Sequence, residues 1–549
     1  MDSFGVVIFI MVILIGLSAI ADKIKLPYPI LLVGVGLVIG FTPKLPVLEI
    51  NPEIIFLLFL PPLLYDAAFK TSWHDFKTAI RPISTLAISL VFFTTFSVAA
   101  AAHFLIPGFS WPLAFVLGAI VSPPDAVAAT GITKGLGLNK RVITILEGES
   151  LLNDASALIA YRYAVAAVTT GVFVFWKAGL EFLLVAVGGI IIGIIIGYIF
   201  IQIHKKITQN AVVETSLTLL APYIAYLSAE KMHVSGVLSV VCAGLLLTWR
   251  APEIFSYQTR MRTGVVWDTI IFLLNGVVFI LIGLQLPVII NEIKGHSIIE
   301  LLGYGLLISL VTIIVRIVWV IFGVYSHKIF AFRYNKEATT DEKEERDSNE
   351  IDWKNVLIVA WTGTRGVVSL ATALALPLTL NNGSIFPFRH VILFLAFVVI
   401  FVTLVVQGLT LPLLIKILGV QKKKTFHKED KELELTLSHQ VVDFIEKSFP
   451  VALEPKLKDQ VIKKYNLSIE KLHKEITQID RQKRPVKNEI TTSVLQLLLV
   501  QLEIVRFQRE LLLKFHKEGS FSDEAIRHSE RELDIEELRL NGLISKNEQ

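Results

Sequence analysis

The chain has 549 residues, 53% of them hydrophobic and 18% charged, with a mean hydropathy of +0.63, a balance that excludes an ordinary soluble enzyme and marks a polytopic membrane protein. The net charge of +4 hides an uneven distribution, because 47 of the 100 Asp, Glu, Lys and Arg residues lie in the 129 residues after Val420. A membrane domain is therefore expected over 1–420 and a soluble tail over 421–549, and the single cysteine, Cys242, excludes an intrachain disulfide framework and reads as an ordinary buried thiol.

Apolar runs of spanning length fall at thirteen places: 4–20, 28–42, 51–69, 79–105, 111–131, 141–170, 173–203, 211–230, 233–249, 265–290, 298–330, 353–378 and 387–418. The first starts directly after Met1-Asp2-Ser3 without a basic leader and is expected to stay as a span. The third is expected to be interrupted at Pro61-Pro62. Connections after odd-numbered spans hold thirteen Lys and Arg residues, before the highly charged loop 331–352, against five on the other side. This positive-inside bias predicts an outside amino terminus, a cytoplasmic 331–352 loop and a cytoplasmic tail.

Two spans depart from plain helix. The fifth, 111–131, carries Pro123-Pro124 directly before Asp125, and the twelfth, 353–378, carries Gly363, Thr364 and Gly366 around Arg365. Proline removes a backbone donor and glycine permits unwinding, so both are expected to be discontinuous. An odd offset of seven spans gives them opposite directions across the membrane, the arrangement of inverted repeats whose broken helices meet at a transporter's binding site. In the tail, the Lys422-Lys423-Lys424 cluster suits anionic lipid or a simple stop-transfer flank, and helices are expected near 431–448, 456–480, 488–516 and 521–540. The apolar run Val494–Val505 is too short to span and is expected to be a core or dimer face.

The sixth span, 141–170, holds the chemistry. Glu149 and Asn153 share one stripe and Ser150 and Asp154 the next, and a rise of about 1.5 Å per residue puts Asp154 on the order of 20 Å deep. Ionisable groups at that depth cost roughly 2.5–3.5 kcal/mol on insertion scales and mark an ion path. A carboxylate beside a hydroxyl offers hard oxygens to an alkali cation and takes a proton instead, so one site binds either ion. The alternative is that Asp154 only pairs with a buried arginine to fix helix packing. Asp125 follows the break, where the carbonyls of Ser122 to Pro124 are free to ligate, or else it caps the following half-helix. Arg365 needs a carboxylate, with Glu149 the first choice and Glu147 the second. Arg162, Arg316, Asp66, Glu214 and Asp268 are left outside the core site, most of them explained by snorkelling at helix ends, with Arg316 the least easily dismissed. HExxH, Walker-type and GxSxG motifs are missing from the sequence, so a secondary transporter without a cofactor is expected rather than an enzyme.

GESLLND at Gly148–Asp154, SPPDAVAA at Ser122–Ala129 and TGTRGVVSLA at Thr362–Ala371 resemble the signature segments of the monovalent cation:proton antiporter family 1, the Na+/H+ exchangers, in its bacterial long-tailed form. The resemblance implies an all-α homodimer in the plasma membrane, thirteen helices per subunit with crossed discontinuous helices, and a helical cytoplasmic tail that regulates or dimerises. It implies a Na+ (or Li+ or K+) and proton site at Asp154, with Asp125, Ser150, Asn153 and the Pro124 carbonyl around it. It also implies a Glu149–Arg365 structural ion pair and, from Asn153 before Asp154, electroneutral exchange. Many relatives read Thr-Asp-Pro where this chain has Pro124-Asp125-Ala126, which leaves Na+ against K+ preference open. The competing readings are a channel or organic-solute symporter built on the same broken helices, and a membrane-anchored scaffold in which the tail is primary.

Overall fold

The computed structural model describes residues 3–24, 28–42, 52–125, 140–171, 175–206, 210–293, 297–334, 353–380, 383–419, 426–447, 455–481, 489–518 and 523–548. The second half of the fifth span, through 131, and most of the 331–352 loop lie outside them. Among the described residues the fold is all-helical, save one isolated antiparallel bridge between Thr379 and Ile385. The chain divides into two compact units, Met1–Lys422 and Lys423–Gln549.

The first unit contains α1 (Ser3–Ile24), α2 (Tyr28–Gly40), α3 (Pro52–Lys70), the short α4 (Trp73–Thr78), α5 (Ile80–Leu105), α6 (Trp111–Val121) and α7 (Lys140–Thr170). It continues with α8 (Phe175–Lys206), α9 (Ala211–Lys231), α10 (Gly236–Ile254), α11 (Tyr257–Glu292), α12 (Ile298–Tyr334), α13 (Trp353–Trp361), α14 (Val367–Leu374) and α15 (Arg389–Leu418). Among the described residues, seven helices are long and apolar enough to cross a membrane: α5 and α8 to α12, with α15. The segments 8–19, 28–40 and 111–121 are apolar but shorter. Two others fall outside that group for reasons of chemistry. The 31-residue α7 has the length, but Arg141, Glu147, Glu149, Asp154 and Arg162 make it too charged. The pair α13 and α14 would form one span if the helix did not stop for residues 362–366.

Packing sorts these helices into two groups. In one, α2 lies along α11, α8 along α10, and α3 and α9 against α10. In the other, α5 and α7 pack on α6, while α12 packs on α5, α13 and α15. The α2–α11 crossing brings backbones together at Gly36 and Gly283, where a Cβ on either would collide with the carbonyl of Ile280 or Val33. Such small-residue contacts are how helices approach without a hydrophobic driving force.

The expected interruption at Pro61-Pro62 is not present: α3 runs through both prolines. In a regular helix Pro62 would donate to Leu58, and the carbonyl it leaves unbonded accepts instead from the Tyr223 hydroxyl on α9 at 3.4 Å. A neighbouring helix thus supplies the donor that proline removed, and the helix does not need to break.

The second unit is two helical pairs. α16 (Phe426–Lys447) packs on α17 (Pro455–Arg481), and α18 (Glu489–Glu518) packs on α19 (Asp523–Glu548). Leu498, Leu502 and Val505 of the apolar run form a core with Leu540 and Ile544. Arg509 closes the same pair, donating to Asp534 at 2.5 Å and Glu537 at 2.7 Å.

Candidate functional site

The site is built from two helix breaks and one intact helix. α6 stops at Val121 because Pro123 and Pro124 have no N–H to donate to Ala119 and Ile120. The Ser122 hydroxyl takes over the Ala119 carbonyl at 3.2 Å. In an unbroken helix Asp125 N would bond Val121 O, and both groups find new partners across the fold. Asp125 N donates to the Thr364 carbonyl at 2.7 Å, and Val121 O accepts from Arg365 Nε at 3.0 Å. The Thr364 hydroxyl also donates to the Asp125 carbonyl, at 3.2 Å. The breaks at Pro123-Pro124 and at Gly363-Thr364-Gly366 therefore meet and satisfy one another.

Asp125 does act as a cap, but on the other broken helix. Its carboxylate accepts from Val367 N, the first residue of α14, at 3.3 Å. An anion is favoured there by the unbonded N–H groups and by the dipole of the helix. Gly366 makes room for it, since a Cβ at that position would overlap the Asp125 carboxylate.

α7 faces both breaks. Asn153, fully buried, donates from Nδ2 to the Pro124 carbonyl at 2.9 Å, which fixes α7 against the first break. Asp154, only 5% exposed, borders a narrow cavity of about 40 Å³ with Ser150, Pro123, Pro124, Asp125 and Gly366. The remaining polar lining comes from Asn275 and Ser369, and apolar walls from Leu60, Leu63 and Leu64. Room for a few water-sized bodies, with two carboxylates on the wall, fits a small cation or a proton carried on a carboxylate. Among the described residues no arginine or lysine forms an ion pair with Asp154, so the reading that it serves to neutralise a buried arginine is not met here.

The expected Glu149–Arg365 pair is corrected. Glu149 is held in a two-bond fork by Arg316 of α12, at 2.5 and 2.8 Å, with the two side chains 2% and 1% exposed. Arg316 also donates from Nε to Val359 O near the end of α13, at 3.3 Å. Arg365 instead serves carbonyls, those of Val121 and Gly363, while its own N–H reaches Thr403 Oγ1 at 3.1 Å. A guanidinium at the last carbonyls of α6 complements the negative end of that helix. The physical cost of a buried arginine was legible, but here the carbonyls freed at a break, rather than a carboxylate, accept its hydrogen bonds. Glu147, the second choice, is half-buried with Lys70 and Asp66 as its electrostatic neighbours.

Of the other charges set aside, Arg162 and Asp268 are exposed as snorkelling expects, whereas Asp66 and Glu214 are buried and partnered. Arg162 donates to both carboxylate oxygens of Glu230, at 2.7 and 2.9 Å. Lys70 bridges Asp66 at 2.9 Å and Asp268 at 2.6 Å, and buried Glu214 accepts from Thr259 at 2.5 Å. Sequence reasoning missed Asn275 and Ser369 and left Arg316 outside the core site. For Arg316 and Asn275 a signal existed, one arginine and one amide each standing in long apolar runs, VTIIVRIVWVI and IIFLLNGVVFI.

A family model described as sodium/hydrogen exchanger, transmembrane, matches residues 8–417. The chain is similar to a sodium, potassium, lithium and rubidium/H(+) antiporter of Bacillus pumilus, 31% identical over 445 residues that cover 79% of this chain and 63% of that protein. The match thus takes in less than two thirds of that relative's length. An uncharacterized Na(+)/H(+) exchanger of Mycobacterium bovis is 29% identical over 547 residues, covering 98% of this chain and 96% of that one. The fold is similar to that of the sodium proton antiporter MjNhaP1 from Methanocaldococcus jannaschii, with a TM-score of 0.59 and 20% identity over 76% of this chain and 99% of that one. With a family match across three quarters of its length, coincident with the unit that contains both helix breaks, this chain belongs to the sodium/hydrogen exchanger family.

Proposed function

We propose that the protein exchanges Na+ for H+ one for one across the plasma membrane, with both ions competing for Asp154. The observation that carries this is a charge count at the junction of the breaks. With every group ionised, Asp154, Asp125 and Glu149 give three negative charges, and Arg316 and Arg365 give two positive ones. The junction is left at −1, which one Na+ or one proton neutralises. The loaded, neutral form crosses, and the bare carboxylate is held back by the cost of an uncompensated charge in low dielectric. In this reading Asp154 carries the proton or the cation, while Asp125, Ser150 and the second lone pair of the Pro124 carbonyl supply further oxygens. Asn153 holds that carbonyl in place.

The transport step is movement of the α5–α7 and α12–α15 group against the other helices, so that the site opens to each side in turn. Thirteen spans in two inverted repeats, crossed broken helices, an outside amino terminus, a cytoplasmic tail and a homodimer belong to this reading. The names of the relatives support monovalent cations as the substrates, and K+ or Li+ is the alternative partner for the proton at the same site. An organic-solute symporter fits less well, because small-molecule sites usually enclose about 300–1,000 Å³, far more than the 40 Å³ beside Asp154.

The test is purified protein in liposomes under an imposed pH gradient, with a pH-sensitive dye and Na+, Li+ or K+ added in turn. Dequenching by a cation, lost in Asp154→Asn, is expected. Exchange that survives in a folded Asp154→Asn protein would end the shared-carboxylate scheme.

A further inference from the structure

Two buried oxygens in the cavity have no assigned task. Asn275, on α11, is 2% exposed and its Oδ1 accepts no hydrogen bond. Ser369, in the first turns of α14, is 1% exposed and its hydroxyl has no hydrogen-bonding partner. Both border the same cavity as Asp154, Asp125 and Ser150. Unmet polar atoms are rare in a folded interior because burial without a partner is costly. Two of them on residues that line one 40 Å³ cavity, together with two carboxylates, are accounted for if a bound species completes them.

The chemistry of that species follows from the donors. An amide oxygen and a hydroxyl oxygen are neutral, hard ligands of the kind that replace the hydration shell of an alkali cation. A proton on Asp154 gains little from them, because it forms one covalent O–H bond and at most one strong hydrogen bond. A cation takes several oxygens at once. Neutral oxygens also leave unchanged the −1 balance on which the exchange rests.

We propose that the Asn275 amide oxygen and the Ser369 hydroxyl are cation ligands that set which alkali ion the carboxylate site accepts, and that they contribute little to proton binding. This rests on the antiport reading above. Asn275 has a particular position, because α11 belongs to the helix group that does not contain α6 or α7. It is the ligand contributed from the group opposite Asp154, whereas Ser369 lies on α14, which packs on α3 and α11 as well as on α6 and α15. A cation bound by Asp154 and Asn275 therefore bridges the two groups, and a proton on Asp154 does not.

The experiment measures apparent KM and Vmax for Na+, Li+ and K+ in liposomes for the wild type, Asn275→Leu, Asn275→Ser and Ser369→Ala. Loss of one neutral ligand is expected to raise the KM for the preferred cation roughly three- to tenfold. The order or spacing of the three cations should change, with Vmax at saturating cation within about twofold of wild type, and Asn275→Ser should recover part of the loss. A second readout needs no transport: the cation concentration that half-maximally raises the melting temperature of the purified protein should shift by the same factor, while the pH dependence without added cation stays in place. Unchanged KM values and melting shifts in folded variants, or a fall in Vmax alone, would overturn the assignment and leave both side chains as packing groups. Wild type without any cation-dependent dequenching would instead overturn the antiport reading itself, so the two failures are distinct.

Discussion

The main-chain nitrogen of Asp125 donates to the carbonyl of Thr364 at 2.7 Å, so the broken ends of two spans close each other's hydrogen bonds at the site. Lipid offers no donors, and irregular backbone at membrane depth persists only where protein or cavity water satisfies it. Here the arrangement is reciprocal: Thr364 Oγ1 returns a bond to the Asp125 carbonyl, and the Asp125 carboxylate caps α14. Both breaks must be present for either to be stable.

Gly366→Ala tests that closure. The added methyl would occupy the space of the Asp125 carboxylate, whose position is fixed by Val367 N. Moving the carboxylate forfeits the cap, worth about 0.5–2 kcal/mol, and displaces one wall of the cavity beside Asp154. Exchange is expected to fall at least about tenfold, since misplacement of a ligand by even 1 Å is costly. A melting temperature within a few degrees of wild type should accompany it. Activity equal to wild type would show that the Asp125 carboxylate is free to move without consequence.

Glu149 and Arg316 make a different prediction, about stability. Removing one member of a buried, forked pair leaves an uncompensated charge and costs about 3–5 kcal/mol. Arg316→Met and Glu149→Gln are each expected to lower the melting temperature and the yield of folded protein sharply. The double variant should recover much of the loss, because no lone charge remains. Arg316→Lys should not substitute, since an ammonium cannot make both bonds of the fork. Additive losses in the double variant, measured by thermal unfolding in detergent, would mean that the two residues act independently.

How far the sequence carried the architecture depended on whether a feature was local. The breaks were legible, because proline's missing donor and glycine's freedom are properties of the residue itself: α6 ends at Val121 and α13 at Trp361, just before each motif. The burial of Asp154 beside the breaks was legible as well, from its place in an apolar span. Pairings were not. Glu149 finds Arg316, which is 167 residues away, and nothing local distinguishes that guanidinium from Arg365. The misreading of Pro61-Pro62 has the same origin, for the donor that rescues the Leu58 carbonyl is Tyr223, 165 residues on. Asn275 and Ser369 carry no local signature beyond being polar in apolar surroundings, and only their convergence on one cavity gives them a role.

The last prediction concerns Arg162 and Glu230, which join α7 to α9 and so join the two helix groups. Both also border a second cavity, of about 330 Å³, with Tyr226, Leu158 and Ser235. Their side chains are 51% and 30% exposed, so the pair contributes only about 0–1 kcal/mol to stability. Glu230→Gln is therefore expected to leave the melting temperature within a few degrees of wild type. Transport should respond more clearly, because a bond between groups that move apart favours one side of the cycle, and even 1 kcal/mol shifts that equilibrium about fivefold. Apparent cation KM measured from the two faces of oriented vesicles should change in opposite directions in Glu230→Gln and in Arg162→Gln alike. The exchanged pair Arg162→Glu with Glu230→Arg should bring both values back toward wild type, since an ion pair forms again with its ends reversed. Equal changes at both faces, or no recovery in the exchanged pair, would mean that the contact is a surface ion pair without influence on the cycle.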